Sequence, residues 1–126
     1  METIHKIPLF EQMSSLADGV RSRILLAIEN RELTVTELCG VLQLPQSTVS
    51  RHLKTLAETG WVLHRPDGTR RLYQFSPDDL DATAGELWKL TRDHVRDTPA
   101  SREDGRRLTQ VLAERRERYA RTKGES

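Results

Sequence analysis

Aromatic side chains are scarce here, 5% of 126 residues, and that scarcity argues against a small β-barrel. There is one cysteine, Cys39. A lone thiol excludes an intrachain disulfide and any zinc site built from two or more cysteines of one chain, and it fits a reducing cytoplasm. No apolar run approaches the ~20 residues that span a bilayer. The start, Met1-Glu2-Thr3-Ile4-His5, lacks the basic-then-apolar order of a secretion signal. Repeats and low-complexity tracts are missing too. So are a nucleophile–base pair and a carboxylate pair with a pocket to sit in, so the sequence predicts no enzyme and no cofactor. The length allows one modest core with an appended helix, not a core plus a deep substrate cleft.

Net charge is only +1, yet its distribution is uneven. Residues 1–44 are net acidic, with four Lys/Arg against six Asp/Glu. Residues 45–75 hold Arg51, Lys54, Arg65, Arg70 and Arg71 against Glu58 and Asp67. Residues 76–95 are acidic again, and residues 96–126 carry nine basic against six acidic side chains. A localised basic island is the electrostatic footprint of phosphate binding.

Apolar spacing gives the elements. Ile4, Ile7, Phe10, Met13 and Leu16 recur three or four apart, predicting a first helix over about Leu9 to Leu16. Asp18 is placed to cap a second helix faced by Val20, Ile24, Leu25 and Ile28 and ended by Asn30 and Arg31. Thr34-Val35-Thr36-Glu37 is a capping box opening a third, faced by Val35, Leu38, Cys39 and Leu42. Pro45 opens a fourth, with Val49, Leu53, Leu56 and Ala57 inward and Gly60 as its stop. Trp61 to Arg65 and Arg70 to Phe75 read as strands around a Pro66-Asp67-Gly68-Thr69 turn. Ser76-Pro77-Asp78-Asp79 is read as the cap of a fifth helix faced by Leu80, Ala84, Leu87, Trp88, Thr91 and Val95. A break at Thr98-Pro99-Ala100-Ser101 precedes a sixth, with Leu108, Val111, Leu112 and Tyr119 on one side. The reading is one domain over 1–97 and a helical extension over 98–126.

This order is mainly α with a small hairpin wing: a winged helix-turn-helix. With Val49, Leu53 and Leu56 inward, the fourth helix presents Gln46, Ser47, Ser50, Arg51 and Lys54 outward, joined by Thr48 and His52 in the DNA-facing set. Small residues near its start let the helix end approach base edges. Arg51 can give two hydrogen bonds to guanine and Gln46 can pair with adenine. Arg65, Arg70 and Arg71 flank the hairpin tip, where they can grip the backbone or enter the minor groove. The alternative is a solvated helix and an ordinary hairpin; it is the ordered set of features that favours double-stranded DNA.

Glu37-Leu38 through Gln46-Ser47-Thr48-Val49-Ser50-Arg51-His52-Leu53-Lys54-Thr55-Leu56, then Gly60-Trp61-Val62, then Gly68-Thr69-Arg70-Arg71-Leu72-Tyr73, resembles the ArsR/SmtB family of bacterial repressors over about residues 10–95. The resemblance implies a homodimer that binds a near-palindromic operator and leaves it when an effector arrives. It also implies a dimer interface built by the first and fifth helices. That assigns Phe10, Met13, Leu80, Ala84, Leu87, Trp88 and Thr91 to the interface, with intrachain core as the competing role. Gln43 departs from the glycine common in the family turn.

Metal sensing is checked ligand by ligand. Thr34 and Thr36 stand where arsenic and cadmium sensors of the family carry a close cysteine pair, and a soft metalloid needs two or three thiolates. Cys39 lies on the apolar face and reads as a structural thiol. Asp81, Thr83, His94 and Asp97 mimic the zinc-sensor spacing, but aligning on Tyr73-Gln74-Phe75 moves the ligand positions to Pro77, Asp79, Leu90 and Asp93. No metal site is expected, and His5 and His64 have no evident partners. The effector stays open between a small metabolite and none.

The sixth helix looks like the joining segment of longer proteins in which such a repressor domain is fused to an S-adenosylmethionine-dependent methyltransferase. The plainer account is a solvated helix with Glu/Arg pairs, packing Leu108 and Leu112 on the dimer. A winged-helix module that docks protein or RNA is the rival from another class.

Overall fold

The computed structural model describes residues 8–124; Ile4, Ile7 and His5 lie outside them. Six helices and a three-stranded sheet follow in the order α1 (Leu9–Leu16), α2 (Gly19–Ala27), β1 (Glu32–Thr34), α3 (Val35–Leu42), α4 (Gln46–Glu58), β2 (Leu63–Asp67), β3 (Arg70–Gln74), α5 (Ala82–Arg96) and α6 (Pro99–Gly124). The architecture is the predicted winged helix-turn-helix.

Local chemistry sets most of the boundaries. The Asp18 carboxylate accepts from the Val20 and Arg21 amides at the start of α2. Thr34 and Glu37 exchange the two bonds of the capping box at the start of α3. The turn between α3 and α4 passes through Gln43 at φ 57°, a left-handed conformation that costs an ordinary residue about 1 kcal/mol. Its Nε2 donates to the Gly40 carbonyl at 2.8 Å, which ties the turn down.

Several boundaries differ from the sequence prediction: α2 stops at Ala27, before Asn30 and Arg31, and β2 runs on through Pro66 and Asp67, which shortens the expected turn. Strand β1 is an addition to the prediction, pairing antiparallel with the middle strand β3, Leu33 opposite Tyr73. Strand β2 starts at Leu63, because Trp61 and Val62 turn into the core instead. Pro77–Asp79 is a single 3-10 turn, so Ser76 caps no long helix. The Asp81 carboxylate accepts from the Ala84 amide, and α5 starts there.

The core gathers Ile24, Leu25 and Ile28 of α2, Leu38, Val41 and Leu42 of α3, and Val49, Leu53 and Leu56 of α4. Phe75 sits between Trp61 and Trp88, edge-on to both, with centroids 6.2 and 4.9 Å away. Each such buried ring contributes about 2–3 kcal/mol. Trp88 and Ala84 are therefore intrachain core, with 3% and 4% of their surface exposed. The Trp88 Nε1 donates to Glu29, which also holds Arg92. Those two leave the dimer set expected from sequence. Phe10 and Met13 stay on the surface, at 78% and 44% exposure, and Leu80, Leu87 and Thr91 are half-buried.

Helix α6 lies against this core. Leu108, Val111 and Leu112 pack on it, where the sequence pattern suggests a contact on the dimer. Tyr119 is on the same side by spacing, seven residues after Leu112, but lies past the packed stretch and is exposed.

Candidate nucleic-acid interface

Helix α4 is amphipathic by strict spacing. Val49, Leu53 and Leu56 are at most 1% exposed, and this fixes which side faces away. On that outer side Gln46, Ser47, Arg51 and Lys54 are exposed, and Thr48 and Ser50 lie at its margin. No acidic residue occurs from Leu38 to Ala57. The outer face thus carries two cations and small hydroxyls over its first three turns, and the one carboxylate of the helix, Glu58, stands at its C-terminal end four residues after Lys54.

His52 belongs elsewhere. It stands three residues after Val49 and one before Leu53, which is the inner side by helical spacing, and it is 8% exposed. Arg21 Nη1 lies 3.4 Å from its Nδ1, and the same guanidinium donates to the Ser14 and Ser15 carbonyls. His52 therefore helps tie α4 to the end of α1. A guanidinium can only donate, so Nδ1 is the acceptor and the neutral ring carries its proton on Nε2.

Burial holds the His52 imidazole below its ordinary pKa; Asp18 opposes this and Arg21 and Arg51 add to it. The unfolded chain then takes up this proton first as pH falls. The stabilising effect is complete above about pH 6.5 and is lost as pH drops toward the folded-state value. Denaturant titrations between pH 5 and 7 are expected to show a stability slope in the wild type that His52→Gln flattens. Equal slopes in the two proteins would remove His52 from this account.

The wing is a hairpin with its turn at Gly68, φ 66°. Arg65 does not point freely at solvent: it makes two bonds to Glu32, at 2.8 and 2.9 Å. That pair pins β2 across β3 to β1, and it holds the Glu32 carboxyl below its usual range. Arg71 Nη1 lies 3.0 Å from His64 Nδ1, so His64 has a partner the sequence does not suggest. Arg70 stands at the tip, and among the described residues neither it nor Arg51 makes an ion pair.

The fold brings two of these elements to one place. Gln46 at the start of α4, Val35 and Thr36 at the start of α3, and Thr69, Arg70 and Arg71 of the wing line a groove of about 220 Å³. Two helix N-termini and the cationic wing tip converge there, and each favours a negative ligand. Thr36 is an addition to the sequence-derived set: its place in the first turn of α3 is the signal that marks it. Of the DNA-facing residues expected from sequence, the structure leaves Gln46, Ser47, Arg51, Lys54, Arg70 and Arg71 outward, keeps Thr48 and Ser50 at the margin, engages Arg65 and buries His52.

Among the described residues no three His, Cys, Asp or Glu side chains gather closely enough to hold a metal ion. Asp81 is a helix cap, and His94, at the far end of α5, donates from Nδ1 to the Leu90 carbonyl. Burial raises the Cys39 pKa, which disfavours the thiolate a metal would need. No helix among the described residues is long and apolar enough to cross a membrane.

Comparison with known proteins gives a consistent picture. The family model "Bacterial regulatory protein, arsR family" matches residues 18–62, which span α2 to the foot of the wing. The HTH-type transcriptional regulator Rv2034 of Mycobacterium tuberculosis is 41% identical over 73 residues, 58% of this chain and 68% of that one. The arsenical resistance operon repressor of Escherichia coli is 38% identical over 85 residues, 64% of this chain and 72% of that one. Among solved structures, the transcriptional regulator HlyU from Vibrio vulnificus superposes with a TM-score of 0.56 at 30% identity, covering 68% of this chain and 84% of its own.

Proposed function

Since the chain belongs to the ArsR family of bacterial regulatory proteins, and is thus a winged-helix DNA-binding transcriptional regulator, we propose that it is a homodimeric repressor of a near-palindromic operator. In this reading α4 enters the major groove, with Ser47 at the base edges and Gln46 and Arg51 reading them. Lys54, Arg70 and Arg71 hold phosphates or enter the adjacent minor groove. The protein works by binding and not by catalysis, in the cytoplasm, where the operator is. The observation that carries the proposal is the shared groove of Gln46, Thr36 and the wing tip beside an α4 face whose first three turns hold no carboxylate.

A second copy is proposed to cover the apolar surface that α1 and α5 leave open. Leu9, Phe10 and Met13 on α1 and Leu90 on α5 are all exposed, and the two helices pack side by side. An effector that releases the operator is proposed to be something other than a thiophilic metal. The arsenic-sensing cysteine pair is replaced by Thr34 and Thr36, and the Thr34 hydroxyl is held in the capping box.

Arg51 gives the direct test. Duplex selected from a random pool by the wild-type protein is expected to bind Arg51→Ala more weakly by ~1–3 kcal/mol, with preference relaxed at one base position. Changes at Arg70 or Arg71 are expected to weaken all sequences alike and to flatten the salt dependence. A protein- or RNA-docking module would show equal duplex affinity for wild type and Arg51→Ala.

A further inference from the structure

Helix α6 runs antiparallel along α3. At the C-terminal end of α3, Asp104 grips Arg23 and Arg107 donates to the Val41 carbonyl. Midway, Val111 approaches Gly40. At the N-terminal end of α3, Arg115 bonds both oxygens of Glu37, at 2.6 and 3.0 Å, and the Glu32 carbonyl at 2.9 Å. The helix does not stop there. Residues 116–124 continue past the end of α3, an overhang of about 13 Å at 1.5 Å per residue.

That end of α3 is the one that lines the groove with Gln46 and the wing tip. The overhang therefore emerges on the side assigned to DNA, with the wing between it and α4. Arg118, Tyr119 and Thr122 face Asp67, Arg70 and Leu72 of the wing across an open cleft of about 550 Å³. Arg116, Arg118 and Arg121 are exposed, and among the described residues none of the three makes an ion pair. Helix-dipole stabilisation accounts for cations in a last turn only. It does not account for three such arginines over six residues against a single carboxylate, Glu117, beside a wing tip of the same sign.

We infer that the overhang of α6 and the wing tip form an outer clamp on the phosphate backbone of duplex flanking the operator. The clamp rests on the regulator reading above and extends its footprint outward. Arg115 is the strut that aims it, since it fixes α6 to the capping box of α3.

The test uses the full chain, its selected duplex, and the same duplex extended by ten base pairs at each end. Fluorescence anisotropy is read across a salt series. Wild type is expected to bind the extended duplex more tightly. A variant carrying Arg116→Gln, Arg118→Gln and Arg121→Gln is expected to bind both lengths alike. Its slope of log affinity against log salt should be shallower by about 2–3 per protomer, near 0.9 for each phosphate no longer neutralised. The corresponding lysine variant should keep both properties. Glutamine preserves helix propensity, and circular dichroism confirms that α6 remains folded. If the Gln variant keeps the wild-type slope and length preference while Arg51→Ala weakens binding, the clamp is wrong and the regulator reading stands. If wild type binds neither duplex, both fall. If inorganic phosphate at constant ionic strength raises the wild-type Tm but not that of the Gln variant, with no length preference in either, the arginines hold a free anion and the clamp is overturned.

Discussion

Replacing Asp104 with alanine is expected to lower the unfolding free energy by about 3 kcal/mol, and the Tm by roughly 10 °C or more. Asp104 is 6% exposed, with Arg23 Nε at 2.7 Å, Arg23 Nη2 at 2.9 Å and Arg107 Nη2 at 3.1 Å. The Arg23 side chain is itself only 19% exposed. Without the carboxylate its guanidinium keeps one weak acceptor, the Leu42 carbonyl at 3.3 Å, and stays largely out of water. An uncompensated buried cation is what makes the loss large; the intact pair contributes far less than its removal costs. A second variant separates the two effects. Arg23→Met with Asp104→Leu removes both charges, and it should recover a good part of the lost stability. Urea melts of the three proteins decide the matter. A Tm within about 2 °C of wild type for Asp104→Ala would mean that α6 is not anchored to α2 and α3 by this carboxylate.

Nothing in the sequence points to that pair, since its members are 81 residues apart and each looks like an ordinary surface charge. Local signals fare differently. The Thr34–Glu37 box, the Asp18 cap and the apolar faces of α2 and α4 are written within a few residues of one another, and they are readable. Strand β1 is three residues long, and its identity comes from pairing with β3 about forty positions on, so it has no pattern of its own. The start of α5 is ambiguous from sequence because Asp78, Asp79 and Asp81 are equivalent cap chemistry; only the backbone course through the 3-10 turn selects Asp81. His52 is easily misplaced although its spacing from Val49 and Leu53 is visible, because a polar residue in a basic, hydroxyl-rich helix suggests the outer face. Ala84 and Trp88 show a real limit. An amphipathic face says which residues are buried, not whether the burying surface belongs to the same chain.

That limit makes Phe10 the sharpest probe of the proposed dimer. With 78% of its surface exposed, Phe10 contributes little to the core, and Phe10→Asp should leave the isolated fold intact. At a dimer interface of α1 and α5 the same change puts a carboxylate into an apolar contact beside Met13 and Leu9, where it finds no described partner to offset desolvation. Sedimentation equilibrium at micromolar concentration is expected to show dimer for wild type and monomer for Phe10→Asp. The effect on DNA should be larger than that of any single contact residue. A dimer engages its second half-site intramolecularly, and losing that linkage should cost about 10²–10⁴ in operator affinity. Affinity for a lone half-site, which one protomer can satisfy, should be unchanged. That contrast separates loss of dimerisation from damage to α4, which would weaken half-site and full operator together. A wild-type chain that sediments as a monomer, or a Phe10→Asp chain that keeps its full operator affinity, would leave the exposed face of α1 without the role assigned to it.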